Sequence, residues 1–132
     1  MLKSRKIPIV IYLLGSFLLL ISSGAKAINL GEIEVQSRLN MPLQAVIPIS
    51  ASTSELATLE IALASKNAFK RFGIAETDHL KTLQFTLVNT GSSHHIKVTS
   101  TKTIREPMLE FVLLLKWGRG NVLKDFTAFL SP

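Results

Sequence analysis

Two patterns of apolar residues divide this chain. Ile7 to Ile21 is an apolar run broken only by Pro8, Gly15 and Ser16. From Glu32 onward the apolar positions come in short alternating segments, the period of two that puts every second side chain on one sheet face. Glu32-Ile33-Glu34-Val35-Gln36 predicts a short first strand, and Asn40-Met41-Pro42 a turn after it. Next, Leu43, Ala45, Ile47 and Ile49 alternate with Gln44, Val46 and Pro48. Pro48 has no N–H for a ladder, so this strand is expected along a sheet edge or bulged at that point. An edge at Leu43 to Ile49 is then a candidate for pairing with an added strand.

Ser52-Thr53-Ser54-Glu55 has the spacing of a capping box and predicts a helical turn. Beyond it, Leu56, Leu59 and Leu63 suit a helical stripe, but Leu59, Ile61 and Leu63 also alternate with Glu60, Ala62 and Ala64. The preferred reading is one helical turn and then a strand over 59–64. Lys66 to Phe72 predicts a short helix that packs Phe69 and Phe72 and stops at Gly73. Leu83, Phe85 and Leu87 make one strand face, Asn89-Thr90-Gly91-Ser92 a turn, and Ile96 and Val98 the next strand.

After Pro107 comes the strongest strand signal, Met108 to Trp117. Leu109, Phe111, Leu113, Leu115 and Trp117 share one face, and Met108, Val112 and Leu114 make the other partly apolar. A strand apolar on both faces is expected to be central and covered. Gly118-Arg119-Gly120-Asn121 predicts a hairpin turn, with Val122 to Leu130 as the returning strand. About seven short strands with one or two small helices predict a mainly β fold, an antiparallel immunoglobulin-like β-sandwich.

The leading apolar run has a different meaning. Lys3, Arg5 and Lys6 precede it, and Ser22-Ser23-Gly24-Ala25-Lys26-Ala27 closes it with small residues and an Ala-x-Ala site. That is the layout of a secretory signal peptide over residues 1–27, with a mature domain over 28–132. A membrane-spanning helix needs about 20 apolar residues, more than this run holds. The localisation expected is periplasmic; the alternative is an inner-membrane tether through an uncleaved N-terminal helix.

Charge and cysteine content narrow the field. The chain has 15 Lys+Arg and 9 Asp+Glu, a net of +6. Lys3, Arg5, Lys6 and Lys26 belong to the leader region, so the mature part has eleven bases against nine acids. A net of +2 is poor ground for nucleic-acid binding. With no cysteine there is no disulfide framework and no thiolate metal site, and packing alone must hold the domain.

Little in the sequence points to catalysis. His94 and His95 are neighbours, so on a strand they face opposite ways and cannot grip one ion together. His79, beside Asp78, reads as part of a solvated connection. No nucleophile elbow, zinc-helix motif or phosphate-cradling loop is present, so no catalytic, metal or cofactor-binding residue is assigned. Lys66, Lys70 and Arg71 read as a solvated helix face. Arg105-Glu106-Pro107 stands where the strongest strand begins, with Glu106 held extended by the proline. It reads as a strand-entry corner with Arg105 paired to a nearby carboxylate, or as a partner contact; Arg105 and Glu106 are the candidate partner-binding residues.

One resemblance covers essentially the whole mature chain. Leu30-Gly31-Glu32-Ile33-Glu34-Val35-Gln36-Ser37, followed by Leu39-Asn40-Met41-Pro42-Leu43-Gln44-Ala45, resembles the opening of the mature FimV/HubP family. Leu63-Ala64-Ser65, Ala68-Phe69, Gly73-Ile74 and Ile96-Lys97-Val98-Thr99-Ser100 continue the likeness. Arg105-Glu106-Pro107, Leu109, Phe111, Trp117 and the closing Phe129-Leu130-Ser131-Pro132 complete it. The resemblance implies the periplasmic N-terminal domain of inner-membrane proteins that organise the cell pole and support type IV pilus assembly and twitching motility. Such proteins continue into a peptidoglycan-binding LysM module, a membrane helix and a long acidic cytoplasmic part, none of which this sequence carries.

What the resemblance then implies is a non-catalytic protein-interaction domain whose partners are envelope or pilus-assembly proteins. A stand-alone relative and a piece of a split gene fit equally. The alternative function is a peptidoglycan or cell-wall ligand module. Such a module usually offers exposed aromatic platforms, whereas Tyr12 lies in the leader and Trp117 ends a core strand.

Overall fold

The computed structural model describes residues 28–132. The leader assigned to 1–27 lies outside them. Eight strands form two sheets: β1 (Asn29–Leu30), β2 (Glu34–Val35), β3 (Met41–Ser50), β4 (Glu60–Leu63), β5 (Leu83–Asn89), β6 (His94–Ile104), β7 (Met108–Trp117) and β8 (Gly120–Phe129). Helix α1 (Thr53–Ala57) precedes β4 and helix α2 (Lys66–Phe72) follows it; a 3-10 turn, Asp78–Thr82, leads into β5. The first sheet has the order β1-β3-β6-β5, with β2 also on β3, and the second has the order β4-β7-β8. Every pairing is antiparallel, and the two inner faces close on one core. The immunoglobulin-like sandwich expected from the sequence is present, with eight strands in place of about seven.

The alternation patterns translate directly into burial. Leu43, Ala45, Ile47 and Ile49 of β3 are buried, as are Ile96 and Val98 opposite them on β6. β7 lies between β4 and β8, and its Leu109, Phe111, Leu113 and Leu115 are essentially inaccessible. Val112, on the other face of β7, is buried too, which is why the segment reads as apolar on both sides. Phe111 joins the two layers: its ring centroid lies 6.0 Å from that of Phe85 on β5 and 5.7 Å from that of Phe126 on β8. Rings at such separations add to the stabilisation from burial alone.

The capping and stop signals held at the helices, but of the two phenylalanines expected to pack only Phe69 is buried, and Phe72 at the last turn of α2 is exposed. The Ser52 Oγ accepts from the Glu55 N–H at 3.3 Å, and the Glu55 Oε1 accepts from the Ser52 N–H at 2.9 Å, completing the capping box. Gly73 ends α2 at φ 70°, a left-handed conformation that a residue with a Cβ adopts only at a cost.

Two expectations need correction. The strand at Leu43 to Ile49 is not a sheet edge, because β3 pairs with β6 on one side and with β1 and β2 on the other. Pro48 is accommodated because its nitrogen faces the border between β1 and β2. There the Gly31 N–H donates to the Pro48 carbonyl at 2.8 Å, and no ladder donor is required of the proline. The strand expected over 32–36 shrinks to Glu34–Val35, with the rest of the edge supplied by Asn29–Leu30.

β6 carries an irregularity that the pattern does not announce. Pro42 faces Thr103 and Gln44 faces Thr99, so Leu43 alone spans the stretch from Ser100 to Lys102. The Ser100 hydroxyl fills the resulting gap, accepting from the Leu43 N–H at 2.7 Å and donating to the Lys102 carbonyl.

Candidate interaction surface

Arg105 and Glu106 lie in the short connection between β6 and β7. Arg105 is exposed and makes no ion pair among the described residues, so the carboxylate partner expected for it is not found. Glu106 instead faces His79, with Nδ1 3.8 Å from Oε1 and both side chains partly exposed. His79 is not in an irregular connection but in the 3-10 turn, where its Nε2 lies 3.1 Å from the Thr77 hydroxyl. Glu106 and His79 line a hollow of about 250 Å³ together with Met108 and Glu110.

Met108 leads to the feature that sequence reasoning did not single out. Met108 faces Phe129 across β7 and β8, and the Leu130 N–H donates to the Pro107 carbonyl at 2.8 Å. That bond makes Met108 and Phe129 a non-hydrogen-bonded pair, the closer of the two antiparallel spacings. Both point away from the core, and Phe129 is 70% and Met108 47% exposed. The signal was in the pattern: Phe126, Ala128 and Leu130 alternate inward, so Phe129 between them must face out.

Phe129 also borders a second hollow, of about 370 Å³, between β8 and the segment Gly31-Glu32-Ile33. Here the free edges of the two sheets face each other. Lys124 spans them, its Nζ donating to the Leu30 carbonyl at 2.8 Å and lying 5.5 Å from the Phe126 ring centroid. The edge expected at Leu43 to Ile49 is interior, and β8 is an edge of the second sheet.

The remaining candidates stay apart. His94 and His95 lie on opposite faces of β6, paired with Ile49 and Pro48 of β3 respectively. Among the described residues no group of three or more His, Asp and Glu side chains converges as metal ligands would. Lys66, Lys70 and Arg71 are on the exposed side of α2, opposite Ala68 and Phe69.

Residues 28–132 match the family model described as the FimV N-terminal domain, an Ig-like domain. The chain belongs to the FimV N-terminal domain family. Similar relatives are the motility hub proteins FimV of Pseudomonas aeruginosa strains PAO1 and UCBPP-PA14, each 35% identical over 116 residues. The matches cover 86% of this chain and 12% of each relative, so the chain spans a small fraction of the length of the curated relatives it matches. No solved structure matches the chain. In this FimV-type domain Arg105, Glu106, Met108 and Phe129 thus gather at one end of the sandwich, where β6 gives way to β7 and β8 ends. Among the described residues no helix is long and apolar enough to cross a membrane.

Proposed function

We propose that residues 28–132 are an exported, non-catalytic interaction domain of a motility hub, released into the periplasm by cleavage of the leader at 1–27. Its work is to contact an envelope or pilus-assembly protein through the end of the sandwich that holds Arg105, Glu106, Met108 and Phe129. The observation that carries this reading is the exposed Met108–Phe129 pair beside an open sheet edge, in a domain whose other large apolar side chains are mostly buried. Apolar groups left outside a closed core cost solubility and commonly mark a binding surface. Kinship with motility hub proteins supports the pilus and cell-pole setting.

The test is photocrosslinking in intact cells, with probes at Glu106 and Thr127 and a control probe at Gln84 on the opposite edge. A reproducible envelope partner at the first two positions and not at the third is the expected result. Deleting residues 28–132 should also impair twitching. Equal capture at all three positions, together with unchanged motility, would overturn the reading.

A further inference from the structure

Edge strands expose unpaired backbone, and a fold that keeps them from pairing makes them short, charged, interrupted by proline or covered. Most edges of this sandwich follow that rule. β1 and β2 have two residues each, and β4 has four. β8 carries Lys124 and Asp125, Lys124 ties it to Leu30, and the Leu39 N–H donates to the Ser131 carbonyl just beyond its end. β5, at the far edge of the first sheet, has none of these protections. Leu83-Gln84-Phe85-Thr86-Leu87-Val88-Asn89 is seven residues with no charge, no proline and no break in its register with β6.

Its pairing with β6 fixes which backbone groups are free. The Thr90 N–H donates to the Ser93 carbonyl across the turn, so Thr90 and Ser93 are a hydrogen-bonded pair. Alternation then bonds Gln84, Thr86 and Val88 to β6 and turns the backbone of Leu83, Phe85, Leu87 and Asn89 outward. The Leu83 N–H is taken by the Leu80 carbonyl. Among the described residues, the outward backbone groups of Phe85, Leu87 and Asn89 have no partner. β4 borders this edge from the other sheet, but no backbone bond joins the two. Towards the turn, α1 stands off from β5 and leaves a hollow of about 370 Å³ lined by Leu56, Leu87 and Asn89.

The strand is also self-complementary. With a two-fold axis through Thr86, Leu83 meets Asn89 of the second copy, Gln84 meets Val88, Phe85 meets Leu87, and the two Thr86 residues meet each other. Outward residues then face outward residues, as antiparallel bonding requires. Moving the axis by half a residue would set outward groups against groups already bonded to β6. The Thr86 side chains, which are exposed, meet at the closer, non-hydrogen-bonded spacing, where a threonine pair is favourable. The nearest charges on that face of the sheet are the two Lys97 ammonium groups, each beside its own Thr86. They stand three strand spacings apart, roughly 14 Å, beyond the screening length of about 8 Å at physiological salt. An uncharged edge has nothing to select a basic or acidic segment, whereas a two-fold match needs only the chain itself.

We infer that β5 is a self-association edge: two copies of the chain join antiparallel, β5 to β5, about an axis through Thr86, and form one continuous sheet. The joint uses none of Arg105, Glu106, Met108 or Phe129, so it goes beyond the docking reading and stands or falls separately. A strand of seven residues makes a small interface, and the dimer is a weak one, with a Kd of about 10 μM.

The test is sedimentation equilibrium of the full chain, exported by an expressing cell and purified, at concentrations from tenfold below to tenfold above that Kd. A reversible monomer–dimer equilibrium is expected. Thr86→Lys sets two ammonium groups face to face at the axis and should weaken the dimer at least tenfold, with an unchanged melting curve in dilute solution. Thr86→Glu should do the same, and mixing the two variants should restore a dimer, because lysine then faces glutamate. Ala62→Lys, on the exposed face of β4, is the control and should leave the dimer intact. Should a Thr86 variant fail to fold, a photocrosslinking probe at Gln84 in the otherwise wild-type chain reads the same contact and should join two copies near Val88.

A chain that stays monomeric throughout, a dimer that both Thr86 variants leave intact, or a Gln84 crosslink only to other proteins overturns the inference. Loss of the dimer in Ala62→Lys and not in Thr86→Lys moves self-pairing to β4 and overturns it as well. None of these results alters capture at Glu106, which tests the docking surface alone.

Discussion

Ser100→Ala tests how the β6 irregularity is held together. Ser100 is the one buried polar residue among the described residues, and its hydroxyl makes two bonds that no ladder partner can replace. The Leu43 N–H that it accepts belongs to a residue with no exposed surface, in a stretch where three residues of β6 oppose one of β3. Alanine would leave that N–H without a partner and release the Lys102 carbonyl. A buried unsatisfied donor costs about 1–3 kcal/mol, and the carbonyl, at an exposed residue, can turn to water. We therefore expect a loss of about 2 kcal/mol. For a domain near 100 residues this corresponds to a fall in Tm of roughly 8–16 °C.

Urea denaturation, followed by far-ultraviolet circular dichroism and by fluorescence of Trp117, the only tryptophan, gives the number directly. Thr101→Ala, at the exposed neighbour, is the control and should stay within about 0.5 kcal/mol of wild type. If Ser100→Ala is as stable as Thr101→Ala, the hydroxyl does not bridge the bulge and the account of β6 is wrong. An unchanged denaturant slope would show that the loss is in stability rather than in the extent of the folded state.

Other substitutions separate core, backbone and surface. Phe111→Ala empties the centre of the aromatic stack with Phe85 and Phe126, and should cost about 3–5 kcal/mol in the same urea experiment. A cost below 1 kcal/mol would mean that the two sheets do not meet there. Gly73→Ala places a Cβ at φ 70° with open space around it, so only backbone strain is felt. A loss of about 1 kcal/mol is expected, with no change in fold by circular dichroism. Phe129→Ser exposes no core and should leave the melting temperature nearly unchanged, yet reduce capture of the envelope partner in intact cells. Stability lost without any change in capture would make Phe129 a packing residue instead.

How much was legible depended on which physical signal each feature leaves in the chain. Alternation along Met108–Trp117 and Leu43–Ile49 marks the buried face, because side-chain burial is paid for residue by residue with apolar surface. The capping box at Ser52 and Glu55 and the stop at Gly73 were readable because those contacts close within three or four residues. Phe129 was readable in principle from the same parity, since its neighbours Phe126, Ala128 and Leu130 point inward. Arg105 and Glu106 were found as a corner, but the partner of Glu106 is His79, 27 positions earlier in the chain and on a 3-10 turn that no periodicity announces.

Strand order was a different matter. β1 and β2 are two residues each, too short to show a period, and they exist because β3 offers them a backbone to pair with. Their presence moved Pro48 from an edge to the interior and left β8 as an open edge of the second sheet. The bulge at Ser100 likewise follows from the pairing of β3 with β6 and leaves no mark in either strand alone. The sequence by itself determined which face of each strand is buried, where the helices start and stop, and that the fold is a sandwich. Only the tertiary structure decided which strands are edges. Burial is written in side chains that differ from residue to residue, whereas pairing uses N–H and C=O groups that every residue but proline supplies alike.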